Sequence, residues 1–233
     1  MGQQPEVVMG KDAQGGDLEM IVPLVSNGIK VISMGFLIGE DQPVMWRGPM
    51  LNSALKQFLG QVMWGELDYL IVDLPPGTGD VQISLIQLVK ITGIVHVTTP
   101  QDVALQDVVK GVAMFQKLNV PILGVIENMS YFVCPHCGQT TEVFGSGGGD
   151  RVSERYGIPL LGRIPLDVRI REGGDEGHPI VLSAPDSALA AAFNAAAGQA
   201  AASISRAVLE HEEETKKAAT APLQWFGKLP SKN

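Results

Sequence analysis

A carboxylate followed by a turn rich in proline and glycine is the feature of this sequence best suited to chemistry. Residues 69–80 read YLIVDLPPGTGD, so a short apolar run leads directly into Asp73 and the turn. Such a run predicts a buried strand of a parallel sheet, and open α/β sheets bind ligands where their strands end. A carboxylate there can hold Mg²⁺ through water, and glycines let backbone N–H groups approach a phosphate. The segment predicts a nucleotide switch; the alternative is an ordinary Pro-Gly turn after a strand.

The second candidate for chemistry is the cysteine pair in Cys134-Pro-His-Cys137-Gly138, which contains the only two cysteines of the sequence. Two thiolates three positions apart can bind one metal ion in a tight turn, a knuckle, and Gly138 reduces the steric strain of the backbone in that turn. A tetrahedral sulfur site takes four ligands, so histidines or a second copy of the chain must complete it. A second copy is the simpler solution, because His136 is poorly placed within the knuckle and His178 is distant in sequence. A structural zinc knuckle or an incidental thiol pair stays open as the alternative.

Strand-like and helix-like segments alternate along the chain, and they must position these groups. The apolar face formed by Val108, Val112 and Phe115 predicts a helix with Asp102 as its N-cap. Alternating strands and helices form parallel sheets through right-handed crossovers, so we expect an α/β fold with a doubly wound, mostly parallel sheet and helices on both faces. Strands are predicted over 29–36, 69–72, 94–98, 121–126 and 159–164, and helices over 48–62, 82–90, 102–118 and 151–156.

The composition shifts to alanine after Pro185, which predicts a final helix. Residues 210–217 are charged, as is typical of a solvated helix end, and we expect the tail beyond Ala218 to be mobile. The predicted organisation is one domain over 1–209, followed by a charged helix end and tail over 210–233. The apolar stripe expected to pack on the sheet consists of Leu189, Phe193, Ala196, Ala200, Ile204 and Val208.

Composition and charge exclude several classes of protein. The 233 residues include 17 basic and 25 acidic side chains, a formal charge of −8. This balance argues against a general nucleic-acid binder and against a protein attached to an anionic membrane. No apolar stretch approaches the roughly 20 residues of a spanning helix, and the N-terminus lacks the features of a signal peptide. We therefore expect a cytoplasmic protein with no nucleic-acid or membrane partner.

Several further strings occur in an order shared with a known family. They are 43–50 (PVMWRGPM), 99–104 (TPQDVA), 126–131 (IENMSY), 144–149 (FGSGGG) and 164–167 (IPLD), besides the switch segment and the cysteine pair. Over residues 3–188 the chain resembles the Mrp-type branch of the MinD-like P-loop ATPases, which includes the bacterial ApbC iron–sulfur carriers. The resemblance implies a homodimer that binds ATP between its subunits. It also implies a 4Fe–4S cluster on paired C-x-x-C motifs, here Cys134 and Cys137, which is delivered to apo iron–sulfur recipient proteins.

The resemblance also assigns the phosphate side of the nucleotide site. The resemblance makes Asp73 the acidic residue near Mg²⁺. Asp73 is therefore the expected catalytic residue of an ATPase. Gly77, Thr78 and Gly79 become the switch that senses the γ-phosphate of ATP.

On the base side, the resemblance makes Asn128 the adenine reader, because a side-chain amide can both donate and accept a hydrogen bond. Taken alone, Asn128 could equally be a satisfied loop residue. Pro165 and Asp167 would border the base from the loop after the last strand.

The sequence contains no phosphate-binding loop of the kind this family requires, a glycine-rich turn ending in Lys-Ser or Lys-Thr that opens a helix. The glycines at 147–149 are followed by Asp150-Arg151, and Gly10-Lys11-Asp12 lacks the preceding glycines and the hydroxyl. We expect that the chain starts after the family's P-loop and that, as given, it hydrolyses ATP negligibly. Because inner strands would lose their partners, we also expect instability or aggregation. A truncated gene model or a fragment is the preferred explanation, and a degenerate paralogue is the alternative.

Two other functions stay open beside an ATP-dependent iron–sulfur carrier. A MinD- or ParA-like positioning ATPase would need a basic membrane helix or a basic DNA-binding patch, whereas the final helix carries Glu212-Glu213-Glu214. A non-catalytic zinc-binding interaction module would need only the cysteine knuckle and its metal.

Overall fold

The computed structural model describes residues 4–11, 15–36, 48–75, 77 and 79–220. The chain divides into two compact units, over 1–90 and over 91–233. The first unit contains the switch segment, and the second contains the cysteine pair and Asn128. The predicted mobile tail from residue 221 onwards, Thr78 and most of the string at 43–50 lie outside the described residues, whereas residues 219 and 220 still belong to the last helix.

The first unit combines two antiparallel hairpins with two helices that pack on each other. The helices predicted over 48–62 and 82–90 are confirmed within two residues at each end. The strand predicted over 29–36 is correct only for its first three residues, because the chain then enters a 3₁₀ turn. The elements are β1 (Glu6–Lys11), β2 (Asp17–Val22), β3 (Leu24–Ser26), β4 (Ile29–Val31), α1 (Gly48–Gly60) and α2 (Asp80–Leu88).

The predicted strand over residues 69–72 is wrong. Within the described part of the chain no strand pairs with this run, and Ile71 is 89% exposed. An apolar run becomes a buried strand only when neighbouring strands supply hydrogen bonds and apolar cover. Among the described residues this run receives neither, so Asp73 follows irregular, exposed chain.

The second unit is built on a parallel sheet in which the strand Ile122–Glu127 lies between the strands Ile94–Thr98 and Leu160–Arg163. This sheet and its flanking helices confirm the α/β fold class, and the strands predicted over 94–98, 121–126 and 159–164 are confirmed. The strands are β5 (Ile94–Thr98), β6 (Ile122–Glu127), β7 (Phe132–Val133), β8 (Thr140–Thr141) and β9 (Leu160–Arg163). The helices are α3 (Asp102–Lys117), α4 (Gly148–Tyr156), α5 (Val168–Glu176), α6 (Ile180–Ser183) and α7 (Ala188–Thr220).

The main core of this unit lies between β6 and the helices α3 and α4. The predicted apolar face of α3 is confirmed, since its three members are all buried. The N-cap prediction is wrong, because Gln101 occupies that position and Asp102 is already helical. The carboxyl of Asp102 instead pairs with Arg151 of α4 at 3.0 Å. The core cluster consists of Leu105, Val108, Val112, Val125, Val152 and Ile158.

Helix α7 packs on β9 and β6. A Cβ placed on Gly162 would lie 2.8 Å from the Cβ of Ala196, so two small residues allow this close approach. The predicted stripe is buried or half-buried as far as Ile204, but Val208 is 42% exposed. Residues 204–213, 215 and 216 include no buried side chain, so this part of the helix end is solvated as predicted. None of the helices in the described ranges combines the length and apolar character needed to cross a lipid bilayer.

His96 of β5 is a buried titratable group in this core. Its ring lies 5.8 Å from that of Phe115, and its Nε2 is buried without a hydrogen-bond partner among the described residues. Burial lowers the pKa of His96. The unfolded chain therefore takes up the proton more readily than the folded chain does. Stability is complete above the unfolded pKa of about 6.5 and falls as the pH drops below it towards the lower folded pKa.

We expect the free energy of unfolding to fall between about pH 7.5 and 5.5, and to fall less in His96→Phe, which has no titratable ring. Urea unfolding at each pH measures this slope. His178→Phe is the matched control, because His178 is exposed; its slope should equal that of the wild type. An unchanged slope in His96→Phe would contradict the prediction.

Candidate functional site

The turn after Asp73 is held by Gln82, a residue that the sequence patterns do not single out. The Gln82 side chain is 3% exposed, and its Nε2 donates to the carbonyl oxygens of Pro75 at 2.8 Å and Gly77 at 3.0 Å. Gly77 has a φ of +98°, a conformation that favours glycine. Helix α2 therefore anchors the switch at Pro75 and Gly77 through one buried amide.

The remaining switch residues flank this clamp. Asp73 is exposed and therefore accessible to a hydrated cation, which suits Mg²⁺ bound through water. Gly79 is the N-cap of α2, with φ −89° and ψ −170°, and it makes no side-chain cap. Thr78 lies outside the described residues. One exposed carboxyl can contact a hydrated magnesium ion, but by itself it does not form a closed metal site.

Asn128 occupies the turn that follows β6, where the parallel sheet ends. Its N–H donates to the carbonyl of Thr98 at 2.7 Å, which ties the turn to the end of β5. Its Oδ1 accepts the N–H of Met129 at 2.9 Å, and Met129 has a φ of +52°. The Oδ1 keeps a second lone pair and Nδ2 is a donor, so the amide retains both functions needed to read a base edge.

We call residues 127–131 the base loop. Three backbone hydrogen bonds join it to the segment 164–167 after β9. Ile164 N–H donates to the Glu127 carbonyl at 2.8 Å, Ser130 N–H donates to the Ile164 carbonyl at 2.9 Å, and Leu166 N–H donates to the Tyr131 carbonyl at 2.7 Å. The predicted base-side residues are thus brought together at one end of the sheet.

Within that segment Pro165 is buried, and Asp167 is the N-cap of α5. The Oδ1 of Asp167 accepts the backbone N–H of Arg169 at 2.8 Å, and its Oδ2 accepts Nη2 of Arg169 at 2.8 Å. The Arg169 side chain holds the pKa of Asp167 below its ordinary value. Asp167 therefore has a structural role at the start of α5, whatever its position relative to a bound base.

Cys134 and Cys137 lie in the turn of the β7–β8 hairpin. Cys134 N–H donates to the Gln139 carbonyl at 2.9 Å, and Gly138 N–H donates to the Cys134 carbonyl at 2.9 Å. Hydrogen bonds from the backbone N–H groups of Cys137 and His136 lower the pKa of the Cys134 thiol. The turn thus favours the thiolate, which is the form that binds metals.

This knuckle supplies only half of a tetrahedral ligand set. Cys134 is half-buried and Cys137 is exposed, so both sulfurs are accessible from solution. In the part of the chain that the structure describes, no group of three or more Cys, His, Asp or Glu side chains could hold a metal ion. The two cysteines can therefore supply two of the four ligands of a tetrahedral thiolate site, and the other two ligands must come from outside this knuckle.

A family model described as a NUBPL iron-transfer P-loop NTPase of the ParA group matches residues 2–201, a range that includes the switch, the base loop and the knuckle. The chain belongs to this family. The expected resemblance to Mrp- and MinD-like P-loop ATPases is thereby confirmed.

Curated members of the family are similar over most of this chain. The iron–sulfur cluster carrier protein of Synechocystis is 55% identical over 192 residues, which are 82% of this chain and 54% of that protein. The iron–sulfur cluster transfer protein NUBPL of Dictyostelium discoideum is 54% identical over 171 residues, 73% of this chain and 53% of that protein. The chain thus spans about half the length of the curated relatives it matches.

A solved structure shares the fold. The nucleotide-binding protein of Archaeoglobus fulgidus, in complex with ADP, superposes with a TM-score of 0.58 at 35% identity. The match covers 73% of this chain and 64% of that protein. The α/β fold of a P-loop NTPase is therefore established for this chain by both sequence and structure.

Proposed function

We propose that this protein is a carrier of iron–sulfur clusters that holds a 4Fe–4S cluster and transfers it to apoproteins, with ATP binding and hydrolysis in a form that contains a complete phosphate-binding loop. The observation that carries the proposal is the pair of free, accessible thiols, Cys134 and Cys137, held in one hairpin turn by backbone hydrogen bonds in a chain of the iron-transfer family. The names of its relatives, a cluster carrier and a cluster transfer protein, support the same cargo.

The cluster is proposed to sit between two copies of the chain. Each copy offers two thiols, and a 4Fe–4S cluster takes four, so a homodimer completes the set. A symmetric dimer brings a surface patch against its own copy, which places the paired knuckles at the axis. A cargo divided between two subunits can be released when they part, as a carrier requires.

The phosphate side of the proposed nucleotide site lies in the switch. Asp73 would hold Mg²⁺ through water, and Gly77, Thr78 and Gly79 would sense the γ-phosphate. The buried Gln82 amide supports this role, because it fixes the turn from which backbone N–H groups can reach a phosphate.

The base side is proposed to be the base loop and the segment after β9. Asn128 would read adenine, with Pro165 and Asp167 at the border of the base. The backbone hydrogen bonds between the two segments support a shared site, and the related Archaeoglobus fulgidus protein binds ADP.

Cluster transfer is the direct test of the function. Protein loaded with iron and sulfide without oxygen should restore the activity of an apo 4Fe–4S enzyme faster than equal amounts of free iron and sulfide do. The chain in which both cysteines are serine is the control, and it should give only the rate of the free ions. Equal rates for loaded protein and free ions would contradict a carrier function.

A zinc-binding interaction module is the second candidate, because the same two-thiol knuckle is a common zinc motif. Metal analysis of protein purified without oxygen separates the two functions. Iron with sulfide supports the carrier, whereas zinc at one ion per two chains, with no iron, supports the module.

A further inference from the structure

Glu127, the last residue of β6, is among the largest fully buried side chains of the described structure, at 1% exposure. Its Oε1 accepts the hydroxyl of Ser130 at 2.5 Å. Its Oε2 accepts the backbone N–H of Gly149 at 2.5 Å. One carboxyl group therefore links the base loop to the first turn of α4.

The carboxyl group of Glu127 packs against the glycine run at 147–149. A Cβ on Gly148 would lie 2.9 Å from Cα of Pro100 and 3.2 Å from Oε2 of Glu127. A Cβ on Gly149 would lie 2.8 Å from Cδ1 of Leu160 and 3.1 Å from Cβ of Glu127. The glycines permit the close approach of Glu127, and the carboxyl group occupies the helix start where an anion would otherwise bind.

Arg163 extends the linkage to β9. Its Nε lies 3.9 Å from Oε1 of Glu127, and its Nη2 lies 2.6 Å from each carboxyl oxygen of Asp150. Arg163 directly precedes the segment 164–167. The Glu127 carboxyl thus stands between three segments: the base loop, the start of α4 and the end of β9.

We propose that Glu127 is the positioning residue of the base loop, fixing the turn so that the Asn128 amide is held in one direction. The two ends of the turn are anchored by the Glu127 and Ser130 side chains, and Asn128 and Met129 form its tip. The proposal rests on the proposed function only in its assignment of Asn128 to adenine. The anchoring of the loop itself is independent of any ligand.

The first test compares two variants of Glu127 by residue-resolved amide hydrogen exchange. Glu127→Met keeps the length of the side chain but offers no oxygen. Glu127→Gln keeps an acceptor for Gly149 and can donate to Ser130. We expect Gly149 and Ser130 to exchange about tenfold faster or more in Glu127→Met and close to wild type in Glu127→Gln. Glu154→Gln on the exposed side of α4 is the matched control and should change neither rate.

The second readout is the ratio of ADP to GDP affinity, measured by nucleotide titration of the same proteins. We expect Glu127→Met to lose the preference for ADP and Glu127→Gln to retain it. A Glu127→Met protein with wild-type exchange rates and a wild-type ratio would overturn the proposal, because the side chain would then only fill volume. If the wild type shows no preference for ADP, the adenine role of Asn128 fails, and the exchange rates alone decide the role of Glu127.

Ser130→Ala tests the same linkage if Glu127→Met does not fold. It removes only the hydroxyl that bonds Oε1 and leaves the bond to Gly149. We expect faster exchange at Met129 and Ser130 with an unchanged rate at Gly149. Unchanged exchange in the loop would overturn the proposal.

Discussion

Anaerobic reconstitution with iron and sulfide should load about four irons per two chains, and replacing both cysteines by serine should reduce this to background. The serine variant loses every thiolate of the chain, since Cys134 and Cys137 are its only cysteines. Serine oxygen is a hard ligand that binds iron–sulfur clusters poorly. Iron and sulfide assays, with sedimentation of the loaded protein, measure the stoichiometry and the dimer together.

His136→Ser is the matched control for loading. It changes a side chain inside the knuckle but leaves both thiols and the backbone N–H of residue 136 in place. We expect this variant to load iron like the wild type. Iron retained by the double serine variant, or a loaded protein that sediments strictly as a monomer, would contradict cluster binding between two knuckles.

The parts of the fold that the sequence predicts correctly are those fixed by local pattern and by neighbours within the chain. Helix α3 is an example, because its apolar spacing matches one helical face and β6 covers that face. Residues 69–72 have an equally clear strand pattern, yet they form no strand. A strand is stabilised by its pairing partners, which a local pattern does not contain.

The same distinction applies to the candidate site. The knuckle is visible in sequence because its ligands lie three positions apart and its geometry is local. The roles of Glu127 and Gln82 are not visible in the sequence, because the role of a buried polar residue depends on the residues that it contacts in the folded structure. Glu127 bonds Gly149, 22 positions away. The available signal was an acidic residue at the end of an apolar strand together with an unexplained glycine run.

The 233-residue chain should release phosphate from ATP no faster than buffer does, on the order of 10³-fold or more below a relative that contains a complete phosphate loop. Phosphoryl transfer requires cationic and N–H groups held over the β- and γ-phosphates. The sequence contains no glycine-rich turn ending in Lys-Ser or Lys-Thr. The glycine run at 147–149 cannot replace it, because Oε2 of Glu127 already accepts the Gly149 N–H.

Asp73→Ala provides the internal control for this assay, with inorganic phosphate release followed in the presence of Mg²⁺. If the residual rate comes from contaminants, the variant and the wild type give the same rate, and neither saturates with ATP. If the switch alone were sufficient for hydrolysis, the wild-type rate would saturate and Asp73→Ala would remove it, since Asp73 is the carboxyl assigned to Mg²⁺. That second result would contradict the prediction and show that a lysine-bearing loop is dispensable in this chain.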